Sequence, residues 1–303
     1  MDVARIQSTP NRTFKAALSP ADLVYKQKLI KGIQQKYQFT PKIENLTSIL
    51  APEELKNLLK KFTSKHFSVD ANGKKFENIK NGDFRVNLHS HTRCSDGHMS
   101  PTEFLEQSKA YADRVAKLNH NDNLPPYTTA TTDHNDFKAS VEIIAQIAEE
   151  AEKYKNLKFV AGCEFLFMDK HNGFAFPAFE VVGLGINPYD KELVYNTGYF
   201  NLIDNIPIIK KDGAILSYAH PSRHLQGNGV EPKFMEYLKK IGIDGIESNY
   251  QYINFIKTSE LEKIIDEVKK TAIKYNLYET GGTDTHGKNI FSARATKYLD
   301  ELV

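Results

Sequence analysis

Apolar residues recur along this chain in two alternating rhythms. From Phe84 onward, short β-prone runs at 86–88, 128–132, 158–161, 181–185, 214–218, 245–246 and 278–281 alternate with stretches whose apolar residues fall at helical spacing. Val141, Ile144, Ala145, Ala148 and Ala151 form one such stripe, and Leu261, Ile264, Ile265 and Val268 another. Ser100-Pro101-Thr102-Glu103 reads as a capping box with proline in the first helical turn. Strand–helix alternation predicts an α/β fold of parallel strands with helical crossovers, and seven such units favour a barrel over an open sheet. In parallel barrels the chemistry lies at the C-terminal ends of the strands.

The first 82 residues follow another pattern. Ser19 caps a predicted helix, with Pro20 in its first turn and Asp22 at its positive end. Leu23, Leu29, Ile30 and Ile33 are its expected apolar face. A second helix is predicted from near Pro52, with Leu55, Leu58, Leu59 and Phe62 on one side. The polar stretch 64–82 reads as a connection. Residues 1–82 are therefore expected to be a helical N-terminal extension, and 83–303 the barrel.

Composition narrows the class without naming a function. Forty basic and 38 acidic residues leave a net charge of +2, so no global field draws the chain to nucleic acid or to an anionic membrane. The N-terminal residues lack a secretory pattern, and no run approaches the roughly 18 apolar residues of a membrane span. Cys94 and Cys163 lack thiolate-ligand spacing and read as small, buried, reduced residues. A soluble, cytoplasmic protein is the expectation.

Candidate chemistry gathers where the strands end. The first is followed by His89-Ser90-His91 and then Ser95-Asp96-Gly97, the second by Asp133-His134, and the third by Glu164. Ala219-His220-Pro221, Glu247-Ser248-Asn249 and Asp284-Thr285-His286 close later strands. In extended chain, residues i and i+2 point to one side, roughly 6.5–7 Å apart at Cα. His89 and His91 can thus face one ion, and Asp284 and His286 repeat the geometry. A closed barrel makes the first and last strands neighbours, so both pairs face a common point. Imidazole with carboxylate suits Zn, Mn or Fe. Glu164 can bridge two ions, and a pair about 3.5–4 Å apart lowers the pKa of a bridging water toward about 7, giving a hydroxide that attacks phosphorus.

Taken in order, these motifs resemble the PHP (polymerase and histidinol phosphatase) domain over roughly residues 84–290. The resemblance implies a distorted (β/α)7 barrel, two or three divalent metal ions and phosphoester hydrolysis. It implies that His89, His91, Glu164 and Asp284 hold one ion, Asp96, His134 and His286 a second, and Glu164 with His220 a third. The family commonly has a further histidine at the fourth strand, where this chain has Glu180, still an oxygen ligand. The resemblance also implies a phosphate-binding cation after His220-Pro221, for which Arg223 fits, with His224 as phosphate donor or proton donor.

Other polar residues have ordinary readings. His66, His98, His120 and His171 are expected to be surface or satisfied core residues. Asp133 is expected to orient His134 or cap the next helix. Glu247 and Asn249 read equally as pocket residues or loop polars. The function expected is a phosphatase or phosphodiesterase of a small phosphorylated metabolite or nucleotide. An exonuclease on single-stranded ends ranks lower, because the barrel has no concentrated basic stretch. An amidohydrolase-like C–N hydrolase and a non-catalytic metal-binding domain rank below that.

Overall fold

The computed structural model describes residues 18–67, 75–118, 124–168, 179–194, 200–221, 230–250 and 258–291. The elements in chain order are α1 (Pro20–Tyr37), α2 (Pro52–Leu59), α3 (Lys75–Lys80), β1 (Val86–Asn87), α4 (Pro101–Leu118), β2 (Tyr127–Thr131), α5 (Lys138–Glu149), β3 (Leu157–Met168), β4 (Phe179–Leu184), α6 (Lys191–Val194), β5 (Phe200–Asn201), α7 (Leu202–Lys210), β6 (Ile215–Tyr218), α8 (Pro232–Ile241), β7 (Gly245–Asn249), α9 (Thr258–Lys274) and β8 (Tyr278–Gly281). The main path of the sheet runs β1-β2-β3-β4-β6-β7-β8, with β5 beside β3. It curls until its ends meet: Leu88 N donates to Gly281 O (3.0 Å), and Ser90 bridges Thr285 in parallel. The architecture is an α/β barrel-like fold.

Three features depart from the sequence expectation. The strands are not all parallel, because β4 runs antiparallel to both β3 and β6. Only residues 169–178 separate β3 from β4, fewer than the dozen or so that a parallel crossover needs. The stretch 64–82 is not merely a connection either, since it carries a 3-10 turn at Ser64–His66 and helix α3. A further short strand, β5, also had no sequence signal.

Helix ends follow local chemistry. Asp22 N donates to Ser19 Oγ (3.1 Å), and Ser100 and Glu103 exchange the two bonds of a capping box (2.7 and 3.2 Å). The buried stripe of α1 is Tyr25, Leu29 and Ile33, so Leu29 and Ile33 of the predicted face are buried and Ile30 packs against them, but Leu23 is 40% exposed and Tyr25 takes the inward place. Tyr25 wins the inward place because its hydroxyl donates to Ile186 O (3.0 Å).

The N-terminal helices are packed into the barrel. Phe159 and Ala161 on β3 point outward to a cluster with Tyr25, Leu29, Ile33 and the α5 residues Ile143, Ile144 and Ile147. Val160, between them, points inward with Val86, Ala130, Val182, Leu184 and Ile215. Leu55 and Leu59 of α2 join that inner cluster, so α2 seals the end of the barrel opposite the strand ends that carry the polar motifs. Below Gly162, where β4 parts from β3, the chain at 48–50 takes the exposed strand edge: Leu50 N donates to Phe159 O (2.9 Å), and Phe159 N to Ser48 O (2.8 Å).

Candidate metal centre

The Ser90–Thr285 bridge sets the register of the site. Their flanking residues, His89 and His91 on one side and Asp284 and His286 on the other, turn to the opposite, inward face. Both Nε2 atoms of the first pair approach Asp284 Oδ1, at 3.4 Å from His89 and 3.1 Å from His91. The rings of His91 and His286 stack with centroids 4.2 Å apart. Close backbone approach makes this possible. A Cβ on Gly282 would stand 2.4 Å from His89 N, and one on Gly97 2.5 Å from the His91 carbonyl. His220 and Asp284 hold positive φ (26° and 48°), an unfavourable conformation for non-glycine residues that concentrates at functional sites.

Glu164 lies at the middle. Its Oε1 is 3.2 Å from His89 Nε2 and 3.1 Å from His220 Nε2, and its Oε2 is 3.3 Å from His91 Nε2 and 3.2 Å from His134 Nδ1. Each oxygen of one buried carboxylate thus meets two imidazoles. Glu180, diagonal to Glu164 on β4, stands 3.3 Å from His220 Nε2. Asp96 Oδ1 lies 3.1 Å from His286 Nε2, 3.8 Å from His134 Nε2 and 3.5 Å from His91 Nδ1. All nine proposed ligands are brought together, in four overlapping groups: His91, Asp96, His134 and His286; His89, His91 and Asp284; His89, Glu164 and His220; His134, Glu164 and Glu180. Arg223 and His224 lie outside the described residues.

The donors suit divalent cations. Two ligands on one ion at about 2.0–2.2 Å sit roughly 3–3.5 Å apart, and most of the separations above fall there. His89 Nε2 and His91 Nε2 face each other at 3.2 Å, an arrangement that two neutral lone pairs disfavour unless something positive lies beside them. His286 Nε2 makes no hydrogen bond among the described residues although Asp96 Oδ1 lies 3.1 Å away, and its Nδ1 donates to Asp284 O (2.9 Å), which leaves the Nε2 lone pair facing that carboxylate.

The carboxylates shape the charge of the imidazoles. Burial opposes protonation of His89, but Glu164, Glu247 and Asp284 outweigh it and hold the ring well above its ordinary range. His91 is likewise pushed up to about 9, against burial, by Asp284 and Glu164. Burial and the neighbouring His91 push His286 down. Glu164 and Asp284 are held well below the usual carboxylate range: burial opposes this, but the imidazoles prevail.

A supporting layer was only partly visible in sequence. Glu247 is a pocket residue: both its oxygens lie 3.2 Å from His89 Nδ1, and one accepts from His220 N (2.9 Å). Asp133 neither orients His134 nor caps a helix. It accepts from Thr92 N (2.7 Å), Thr92 Oγ1 (2.9 Å) and Ser95 Oγ (2.7 Å), which holds the turn that presents Asp96. Tyr250, with no sequence signal of its own, donates to Asp284 Oδ2 (2.6 Å). Cys163 is fully buried and donates to Asp133 O (3.3 Å), whereas Cys94 is only half-buried.

No protein-family model matches the chain, and neither does any curated protein. Among solved structures, it is similar to an amidohydrolase from Chromobacterium violaceum, determined with bound sulfate and no metal. That match has 18% identity and a TM-score of 0.49, covering 67% of this chain and 88% of the other. It is also similar to a candidate metal-dependent phosphoesterase from Bifidobacterium adolescentis, with 14% identity and a TM-score of 0.48, covering 70% of this chain and 91% of the other. No helix among the described residues is long and apolar enough to cross a membrane.

Proposed function

We propose that this chain is a metal-dependent phosphoesterase of the PHP type, hydrolysing a small phosphorylated metabolite or nucleotide. The observation that carries the reading is Glu164, whose two oxygens each meet two imidazoles, the arrangement of a carboxylate shared between cations. His89, His91 and Asp284 would hold one ion, Asp96, His134 and His286 a second, and His220 with Glu180 a third beside Glu164. Zn, Mn or Fe suits this donor set. Bound there, such ions supply Lewis acidity and lower the pKa of a coordinated water.

The chain's own residues supply the rest. Five neutral imidazoles hold cations without cancelling their charge, and the four carboxylates Asp96, Glu164, Glu180 and Asp284 cancel only part of three divalent charges. A centre left positive is complementary to a phosphate dianion. Glu247 and Tyr250 fix His89 and Asp284 from behind, so the donor geometry precedes substrate binding. Arg223 is the proposed phosphate-binding cation, on its place after His220-Pro221, with His224 as hydrogen-bond donor to the phosphate or proton donor to the leaving group.

The test is metal analysis with a substrate panel. Protein loaded with Mn or Zn should hydrolyse a phosphomonoester, a nucleotide or an oligonucleotide in preference to N-acyl substrates. Hydrolysis confined to C–N bonds would overturn the reading. His89→Ala and Asp284→Ala should lose metal and activity together, whereas Arg223→Ala should raise KM at normal metal content.

A further inference from the structure

A cavity of about 310 Å³ opens one residue from the metal centre, lined by Lys36, Asn135, Asp136, Phe137, Lys138, Val141, Pro188 and Tyr189. Asn135 directly follows His134, adopts positive φ (49°) and donates its N–H to the carbonyl of Glu164 (3.0 Å). This is also the open side of the centre. The His134 and Asp96 side chains are 34% and 45% exposed, whereas those of His89, His91, Glu164, His220 and Asp284 are at most 5% exposed.

Its far wall comes from outside the barrel. Helix α1 starts beside α2, where Asp22 accepts from Glu53 N (3.1 Å). It then passes Ile186 at Tyr25, lies so close to Tyr189 at Gly32 that a Cβ would stand 2.2 Å from the ring, and ends with Lys36 at the cavity. The helix therefore climbs from the sealed end of the barrel to the metal end. The cavity presents an amide (Asn135), apolar and aromatic walls (Val141, Pro188, Tyr189) and a cation (Lys36). Lys138 is matched by Asp136 at 3.0 Å, so the net positive charge of the lining is that of one lysine.

We infer that this cavity receives the non-reacting end of the substrate, a flat unsaturated ring that bears an anionic group beyond it. The inference rests on the phosphoesterase reading and gives the N-terminal helix a part in choosing the substrate. A ring packs against the proline, valine and tyrosine walls, which would exclude little water around a short polyol. The distal anion meets Lys36.

The test uses the full chain loaded with Mn and three probes: 4-carboxyphenyl phosphate, phenyl phosphate and glycerol 3-phosphate. kcat/KM should fall in that order. Lys36→Glu should raise KM for the carboxylated probe by about tenfold, the scale of one reversed rim charge, and affect the uncharged ring much less. Val141→Phe, which fills the cavity, should bring the phenyl-to-glycerol ratio towards one, and metal content checks that each variant is folded. Equal hydrolysis of all three probes, or an equal effect of Lys36→Glu on all, overturns the inference and leaves the phosphoesterase reading standing. Calorimetry with 4-carboxyphenylphosphonate, which cannot be hydrolysed, separates the two ideas. Binding weakened about tenfold by Lys36→Glu supports the cavity even if no probe is cleaved, and absence of binding overturns it.

Discussion

Glu247 serves two partners at once. Its two oxygens take the His89 Nδ1–H and the His220 N–H, and so keep one imidazole lone pair and one strained backbone turned to the centre. A glutamine keeps one acceptor oxygen for these donors and sets an NH₂ donor against the His89 Nδ1–H in place of the second. Glu247→Gln should therefore weaken metal binding by about 10–100-fold, read by titration against a competing chelator. An unchanged affinity would show that Glu247 does not position these ligands. His66 illustrates the opposite case, a histidine kept neutral. Its Nδ1 accepts from Thr63 N (2.8 Å), its Nε2 is buried without a partner, and burial pushes its pKa down to about 4. A folded pKa below the unfolded value of about 6.5 adds stability above pH 6.5 that is lost as pH falls through 4. The difference in urea midpoint between the native chain and His66→Asn should shrink over that window; a constant difference would exclude the effect. Among single residues, the candidate ligands were legible and their supports only in part. His89, His91, Asp284 and His286 announce themselves by i, i+2 spacing. Glu247, Asp133 and Tyr250 matter through partners distant in the chain, which spacing does not encode.

At the scale of elements, the site depends on how closely β1 and β8 approach. Gly282 lies against His89 with no room for a methyl group. Gly282→Ala should cost about 1–3 kcal/mol, the usual range for overpacking, and should reduce metal stoichiometry as the His89–Asp284 pairing spreads. Calorimetric Tm and metal content read both, and a normal Tm with full metal loading would sink the argument. Most strands and helices were visible in their apolar rhythm because each buries one face against the same core. The direction of β4 was not. Its residues alternate equally well either way, and only the short connection from β3 forces the antiparallel choice.

For the whole molecule, the proposed metal would compete with protons for the same imidazoles. In metal-free protein the carboxylates hold His89 well above its ordinary range and His91 at about 9. These raised values stabilise the apo fold fully below about pH 6.5, and that contribution is lost as pH rises through 9. Metal needs both rings neutral. Metal loading should thus release protons near neutral pH, and the gain in Tm on loading should grow from pH 6.5 to 9. A gain independent of pH would count against shared occupancy of these nitrogens. The chain by itself determined the alternation of strands and helices and the candidate ligands at the strand ends, because spacing and apolar rhythm are local properties. Only the tertiary structure decided that α2 seals one end of the barrel and that α1 carries Lys36 towards the other. It also decided that β4 reverses, and that one glutamate, Glu164, meets four histidines from three strand ends. Those relations join residues far apart in sequence, and they exist only once burial of the shared core has brought the strands into register.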